Sequence, residues 1–216
     1  MPQRPGGTAT RQEHPLNGLY AFKPWYTRRL TLVVTAAVRR GLSPDVFTLV
    51  GIGAGALAGL AIWRGWWLLA LLFLAARLAG ANLDGAIARA REVARPWGFV
   101  LNEVGDRTSD LLMYAGLAAL AVRVTGVWGS AAVVVTLVAA VAATMPTFAS
   151  LAAAGAGATR RNGGPLGKTE RCALAVLATA FPTWLPWIAA LMVVGSVGTT
   201  VLRLRATRLE LEGRAT

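Results

Sequence analysis

Residues 82–110 read NLDGAIARAREVARPWGFVLNEVGDRTSD, and this polar stretch interrupts an otherwise apolar chain. Five of the ten acidic residues of the chain lie here, and four of them stand beside apolar runs: Asp84, Glu103, Asp106 and Asp110. Carboxylates at membrane depth are costly and usually mark a functional cavity. We therefore predict that this stretch forms an active site and that the flanking apolar segments build its walls.

The composition predicts a membrane protein. Of the 216 residues, 55% are hydrophobic and only 15% are charged, whereas a soluble domain carries about 25% charged residues. Spans of about 20 residues each would use most of this length. The predicted fold is an all-α integral membrane protein with six transmembrane helices, preceded by an N-terminal interfacial amphipathic helix.

The pattern along the chain divides it into one membrane domain and two tails. Six apolar runs, separated by turns with glycine, proline or arginine, fall within residues 44–204 of a membrane domain at 23–205. The second run is predicted to span the membrane from Trp66 to Leu83, and the turns after the first and third runs are predicted at residues 64–65 and 123–126. Residues 23–41 place a short apolar block between paired arginines beside Trp25 and Tyr26, which favours an interfacial helix over a short first span. Residues 1–22 are predicted to be a disordered cytoplasmic tail, and residues 206–216 a charged cytoplasmic tail.

The basic residues predict orientation in the membrane. The chain has 22 Lys and Arg against 10 Asp and Glu, a net charge of +12, but these cations are scattered between apolar runs and form no nucleic-acid-binding motif. The only basic residues in the two turns assigned to the outside of the membrane are Arg64 and Arg123. By the positive-inside rule, both termini and the active site are predicted to be cytoplasmic, in a multi-pass protein of the cell inner (cytoplasmic) membrane.

Two features inside the apolar runs carry further expectations. Gly51, Gly55 and Gly59 have the spacing that lets membrane helices approach closely. Arg77 lies within the second predicted span, where an arginine needs a partner, and Asp84 is the predicted one.

The spacing of the polar residues predicts a divalent metal site. Asn102, Asp106 and Asp110 recur at i, i+4 and i+8, so we expect them on one helical face. A chain reversal between the second and third spans would bring Asp84 to that face. Oxygen ligands without histidine or thiol indicate Mg²⁺ or Mn²⁺, and Mg²⁺ usually completes its shell with water and substrate phosphates.

The same residues resemble the signature of the CDP-alcohol phosphatidyltransferases, D-x-x-D-G-x-x-A-R, eight residues, then G-x-x-x-D-x-x-x-D. The chain is similar to a divergent member, because Ala81 and Asn102 stand where the signature has its first and third aspartates. Pro44, Asp45 and Thr48 resemble the family's P-N-x-x-T, and Gly167 and Lys168 its G-K element. The signature residues present at the matching spacing are Asp84, Gly85, Ala88, Arg89, Gly98 and Asp106.

The resemblance implies an enzyme that moves a substituted phosphate from a CDP-linked lipid, CDP-diacylglycerol or another CDP-alcohol, to a small alcohol and releases CMP. It implies two Mg²⁺ or Mn²⁺ ions, the second held weakly without the two aspartates, and a homodimer in the lipid bilayer. Asp106 is the predicted catalytic residue. The predicted metal ligands are Asp84, Asn102, Asp106 and Asp110. The predicted nucleotide-binding residues are Thr48, Gly85, Ala88, Arg89 and Gly98. The basic loop residues predicted to bind a phosphorylated acceptor are Arg160, Arg161, Lys168 and Arg171.

Two other functions stay open at this point. An inactive family member that binds lipid or nucleotide would explain the substitutions at positions 81 and 102. A small transporter could use the intramembrane acids as a relay, although the sequence shows no inverted repeat.

Overall fold

All regular structure in the described part of the chain is helical. The structure is a computed structural model that describes residues 30–93 and 95–215. A 3₁₀ turn, Pro182–Trp184, connects the last two α-helices. In chain order the α-helices of the described residues are α1 (Thr31–Arg39), α2 (Pro44–Arg64), α3 (Trp67–Ala90), α4 (Pro96–Thr125), α5 (Ala131–Gly155), α6 (Lys168–Ala180) and α7 (Leu185–Ala215).

The helices begin and end at the signals that the sequence carries. The Ser43 hydroxyl accepts a hydrogen bond from the Asp45 N–H at 3.4 Å and caps α2, and Pro44 occupies the first helical position. Gly65 and Gly126 end α2 and α4 in the left-handed region, with φ of 77° and 72°. The turn predicted at residues 64–65 is present, and the one predicted at 123–126 begins only at Gly126, because α4 continues through Thr125.

Two helices extend beyond their predicted ends. The second span was expected to end near Leu83, but α3 continues to Ala90, where the Val93 N–H donates to the Ala88 carbonyl at 3.0 Å and closes the helix. Asp84 therefore lies inside a helix. The polar residues predicted to form a C-terminal tail from position 206 continue α7 through residue 215, because strong helix formers and Arg–Glu pairs four residues apart favour the helix there.

Four helical segments are long and apolar enough to cross a membrane. They are Pro44–Arg64, Trp67–Ala90, Ala131–Gly155 and Pro182–Arg214. The helix α4 has 30 residues, but its first half carries the polar stretch, and α6 has only 13 residues, fewer than the roughly 20 that a bilayer requires. The chain is thus a multi-pass membrane protein, and the six-span count is a prediction.

Small residues let α2 lie tightly against both α3 and α4. A Cβ added at Gly59 would stand 2.5 Å from the Leu112 carbonyl oxygen, and one at Gly80 would stand 2.8 Å from the Phe47 carbonyl oxygen. Gly53, in contrast, has nothing within 4 Å of an added Cβ. The glycines of α2 that meet α3 and α4 are used for packing within the chain, as close approach of membrane helices requires.

The remaining helices complete the bundle. The α5 and α7 helices pack along each other, and α6 contacts α3, α4 and α7. A separate small core joins α1 to α3 through Ala37, Leu83 and Ile87. The helix α1 lies within residues 23–41, the range predicted for the interfacial helix. The predicted tail at 1–22 and the first part of the predicted interfacial helix, residues 23–29, lie outside the described residues.

Candidate active site

The signature residues of α3 and α4 meet in the middle of the bundle. The Asp84 carboxylate is 5% exposed, and its Oδ2 accepts a hydrogen bond from the Thr48 hydroxyl at 2.8 Å and another from the Asn102 side-chain amide. Asp84 lies near the end of α3 and Asn102 near the start of α4, so the reversal of the chain between these two helices brings them together. The hydroxyl and the amide together fix the orientation of this carboxylate.

A small cavity of about 10 Å³ lies at this junction. That volume suits about one water-sized occupant. The polar or signature positions that line it are Thr48, Arg77, Ala81, Asp84, Asn102, Asp106 and Ser109.

A second cavity of about 590 Å³ adjoins the first and shares with it the positions 81, 84, 102 and 106. Ligand-binding cavities have volumes of roughly 300–1,000 Å³, so a nucleotide headgroup and an acceptor both fit this size class. Its walls combine the carboxylates with a set of cations. The cations that line it are Arg89, Arg107, Arg160, Lys168, Arg171 and Arg203.

Lys168 connects the basic wall to the acidic one. Its Nζ lies 2.8 Å and 2.7 Å from the two carboxylate oxygens of Asp106. Lys168 begins α6, and the Glu170 carboxylate accepts a hydrogen bond from the Gly167 N–H at 2.9 Å in the same turn. The helix start therefore places the lysine against Asp106.

Asp110 occupies a different position from the one expected. It is 2% exposed, lines neither cavity, and pairs with three arginines. The distances are 2.5 Å to Arg77, 2.7 Å to Arg107 and 3.2 Å to Arg171. The partner of Arg77 is thus Asp110 and not Asp84, which corrects the prediction for Arg77. Asp110 holds cations of the cavity wall in place, and we do not retain it as a metal ligand.

The two neighbouring arginines of the α5–α6 loop point to different partners. Arg160 lines the large cavity, pairs with Glu103 and lies 4.8 Å from the centre of the Phe99 ring. Arg161 pairs with Glu210 of α7 at 3.0 Å and is not among the residues that line the cavity. Of the four predicted acceptor residues, the structure brings Arg160, Lys168 and Arg171 together and leaves Arg161 outside.

Only some of the residues predicted to bind the nucleotide line a cavity. Gly85 and Arg89 line the large cavity, and a Cβ added at Gly85 would lie 3.2 Å from the Arg89 guanidinium. Thr48 lines the small cavity and holds Asp84. Ala88 and Gly98 line neither cavity.

Two arginines that line the large cavity, Arg107 and Arg203, were not among the site residues predicted from the sequence. Arg203 of α7 donates to the backbone carbonyls of Pro146, Asn162 and Gly163 at 2.6, 2.8 and 3.0 Å. It therefore ties the basic loop to α5. Its signal in the sequence was an arginine placed at the end of the last apolar run.

The arginines offer donors for an anion. The Nε atoms of Arg77, Arg107, Arg160 and Arg171 are buried and have no hydrogen-bond partner among the described residues. A buried donor without an acceptor is costly, and each of these four residues lines one of the two cavities. Phosphate oxygens, like carboxylate oxygens, are strong acceptors for the N–H groups of arginine.

The residues fit a divalent cation, with fewer carboxylates than a two-ion site would have. No group of three or more His, Cys, Asp or Glu with metal-binding geometry occurs in the described residues. Asp84 and Asp106 nevertheless line one cavity with the Asn102 amide and the Thr48 hydroxyl. Oxygen donors of this kind suit Mg²⁺ or Mn²⁺, which take their remaining ligands from water and substrate phosphates.

Comparison with known proteins places this site in a family. No family model matches the chain. The chain is 32% identical over 198 residues to the phosphatidylinositol phosphate synthase of Mycolicibacterium smegmatis, which covers 85% of each protein. Its structure is similar to that of Mycobacterium tuberculosis phosphatidylinositol phosphate synthase with CDP-DAG bound, with a TM-score of 0.71, 26% identity, and coverage of 83% of this chain and 94% of that one. The manganese and citrate complex of that enzyme gives a TM-score of 0.69 and 27% identity, and covers 82% of this chain and 88% of that one. The chain therefore belongs to the CDP-alcohol phosphatidyltransferase family.

Proposed function

We propose that this chain is a membrane phosphatidyltransferase of phospholipid biosynthesis, which transfers a phosphatidyl group from CDP-diacylglycerol to an alcohol and releases CMP. The observation that carries the proposal is the cavity of about 590 Å³, in which carboxylates face arginines and a lysine. A diphosphate needs both walls, because the cations bind its charge while the carboxylates hold a metal and receive a proton.

The carboxylate wall would hold the reacting groups. A divalent cation bound by Asp84 and Asp106 would neutralise the diphosphate and stabilise the attacking and leaving oxygens. Thr48 and Asn102 orient Asp84 through the two hydrogen bonds to its Oδ2. Asp106, which Lys168 contacts through both carboxylate oxygens, is the proposed general base for the acceptor hydroxyl.

The basic wall would separate the two substrates. Gly85 and Arg89, on the last turns of α3, are the proposed contacts of the CDP group, since both line the cavity near Asp84. Arg160, Lys168 and Arg171 enter from the α5–α6 loop and α6 on the other side, and we propose that they bind a phosphate of the acceptor. A relative named for a phosphorylated product, phosphatidylinositol phosphate, fits this assignment.

Membrane arrangement and assembly complete the proposal. We propose six spans, and the two beyond the four apolar segments are α4 and the segment made of α6 and the 3₁₀ turn that follows it to Trp184. We also propose a cytoplasmic active site in the inner membrane. The basic α5–α6 loop supports that side. The homodimer implied by the family resemblance stays a proposal without support from the α2 glycines, because Gly55 and Gly59 face α4 of the same chain.

The test is CMP release by the purified protein in lipid nanodiscs with CDP-diacylglycerol, Mg²⁺ or Mn²⁺, and single candidate alcohols. We expect release that needs both metal and a phosphorylated alcohol. Asp106→Asn should abolish release, whereas Arg64→Gln, at the exposed end of α2 beside Trp63 and Trp66, should leave it unchanged. Binding of CDP-diacylglycerol without CMP release under any condition would refute the transferase and favour an inactive lipid-binding member.

A further inference from the structure

We infer that the positive charge of Arg77, in the wall of the small cavity, takes the place of the second divalent cation of a two-ion site. This site therefore binds one divalent cation per chain. The inference rests on the proposed function and concerns the same site. It explains how a phosphatidyltransferase can work with Ala81 and Asn102 at two signature positions.

Arg77 has the position that this role requires. It lies on α3, four residues before Ala81 and seven before Asp84, which places the three on one helical face. Arg77 is 1% exposed and lines the cavity of about 10 Å³ together with the four positions at which the signature has aspartates, namely 81, 84, 102 and 106. A fixed cation therefore stands beside the position from which an aspartate has been lost.

Three hydrogen bonds hold the guanidinium of Arg77 and leave two of its five N–H groups without a partner among the described residues, one on Nη1 and the one on Nε. Nη2 donates to Asp110 Oδ1 at 2.5 Å and to the Asp106 carbonyl at 3.2 Å, and Nη1 donates to Cys172 Sγ at 3.2 Å. Nε is buried and has no partner among the described residues. An oxygen in the small cavity, from water or from a substrate phosphate, would satisfy it.

Pairing with Asp110 alone does not account for Arg77. Asp110 already has Arg107 and Arg171 at ion-pair distance, so its charge would be compensated without a third arginine. A buried arginine is also expensive to place in a membrane protein unless it serves a site. The surplus cation is therefore available to the cavity.

The charges around the small cavity point the same way. Three charged side chains line the small cavity: Asp84, Asp106 and Arg77. The groups joined to them through ion pairs add one carboxylate, Asp110, and three cations, namely Arg107, Lys168 and Arg171. One net positive charge remains before any metal binds. Aspartates at positions 81 and 102 would turn that balance to one net negative charge. A second divalent cation in the small cavity would here meet the like charge of Arg77, which is buried, so that repulsion is poorly screened.

The experiment counts bound Mn²⁺ and measures CMP release on the same nanodisc preparation. Free Mn²⁺ is followed by electron paramagnetic resonance while it is titrated into protein with and without CDP-diacylglycerol. We expect one Mn²⁺ per chain in the natural sequence with CDP-diacylglycerol, and two in the Ala81→Asp/Asn102→Asp variant. The count in the natural sequence needs no variant, so it stands even where a substitution impairs folding.

Arg77→Gln tests whether the arginine acts toward the substrate or only holds Asp110. We expect CMP release to fall at least tenfold with the Mn²⁺ count still at one, and to be partly rescued when Ala81→Asp and Asn102→Asp are added, because a second ion can then bind. Arg64→Gln is the matched control for loss of an arginine on an apolar helix. A purely structural role for Arg77 would give no such rescue.

The outcomes separate this inference from the proposed function. Two Mn²⁺ per natural chain, or none, together with CMP release would overturn the inference and leave the transferase intact. The absence of rescue in the triple variant would overturn it as well. No CMP release from any preparation would remove the proposed function, and the inference would fall with it.

Discussion

Replacing Asp110 by asparagine should destabilise the protein strongly although the side-chain volume hardly changes. The carboxylate is 2% exposed and is the common partner of Arg77, Arg107 and Arg171. The amide of asparagine carries no charge to balance these three guanidinium groups. The substitution therefore leaves buried cations without a counter-charge.

The size of the effect follows from burial. Removing one partner of a buried ion pair costs about 3–5 kcal/mol, because the charge left behind is uncompensated. We expect a value in this range and not a multiple of it, since the Arg107 side chain is 24% exposed and can be hydrated. For a chain of this length, 3–5 kcal/mol corresponds to a melting temperature lower by roughly 6–20 °C.

The assay is thermal unfolding in nanodiscs, followed by the helical circular dichroism signal. The control is Glu212→Gln, which removes a carboxylate paired with Arg208 at 2.6 Å on an exposed surface, where a pair contributes at most about 1 kcal/mol. Equal melting temperatures for the Asp110 and Glu212 variants would refute the reasoning. An Arg77→Leu/Asp110→Leu variant should recover part of the loss, because it removes one buried cation together with the carboxylate.

Three further predictions use matched positions. Gly59→Ala should lower the free energy of unfolding by about 1–3 kcal/mol, because the added methyl group forces α2 away from α4. Gly53 has open space around it, so Gly53→Ala should leave the free energy of unfolding unchanged. Equal melting temperatures for the two variants would contradict this packing argument. Arg160→Gln should raise KM for a phosphorylated acceptor about 10–100-fold, which corresponds to the loss of one charged hydrogen bond. Arg161→Gln should leave this KM within about threefold. Equal effects of the two substitutions in steady-state assays would contradict the assignment of Arg160 to the cavity wall. Asn102→Asp alone should tighten Mn²⁺ binding in calorimetry, and an unchanged affinity would place position 102 outside the metal site.

Much of the fold follows from local sequence. The apolar runs, the Ser43 cap and the glycines at 65 and 126 predict where α2 and α4 begin or end, because these signals act within one or two turns of the backbone. Helix ends without such a signal were predicted poorly. The α3 helix passes the expected end by seven residues, from Leu83 to Ala90, since no local residue stops it there.

The spacing of residues in the sequence predicts that two of them share a cavity only where both lie on the same helix. Asn102 and Asp106 share a cavity because four residues turn an α-helix by slightly more than one full turn. Asp110 does not join them, because each four-residue step also rotates the side chain by about 40°, and two steps carry it about 80° around α4. The rotation directs it to Arg77 and Arg171, which belong to other helices.

The sequence by itself determined that this is a helical membrane protein, which family signature it carries, and which two signature aspartates are absent. Only the tertiary structure decided how the charges pair: Arg77 with Asp110, Lys168 with Asp106, and Arg161 with Glu210. These partners lie 33, 62 and 49 residues apart in the chain. Ion pairs at such separations depend on how the helices pack. A glycine pattern predicts that a helix packs closely, but it does not identify the residues of other helices that the packing brings together.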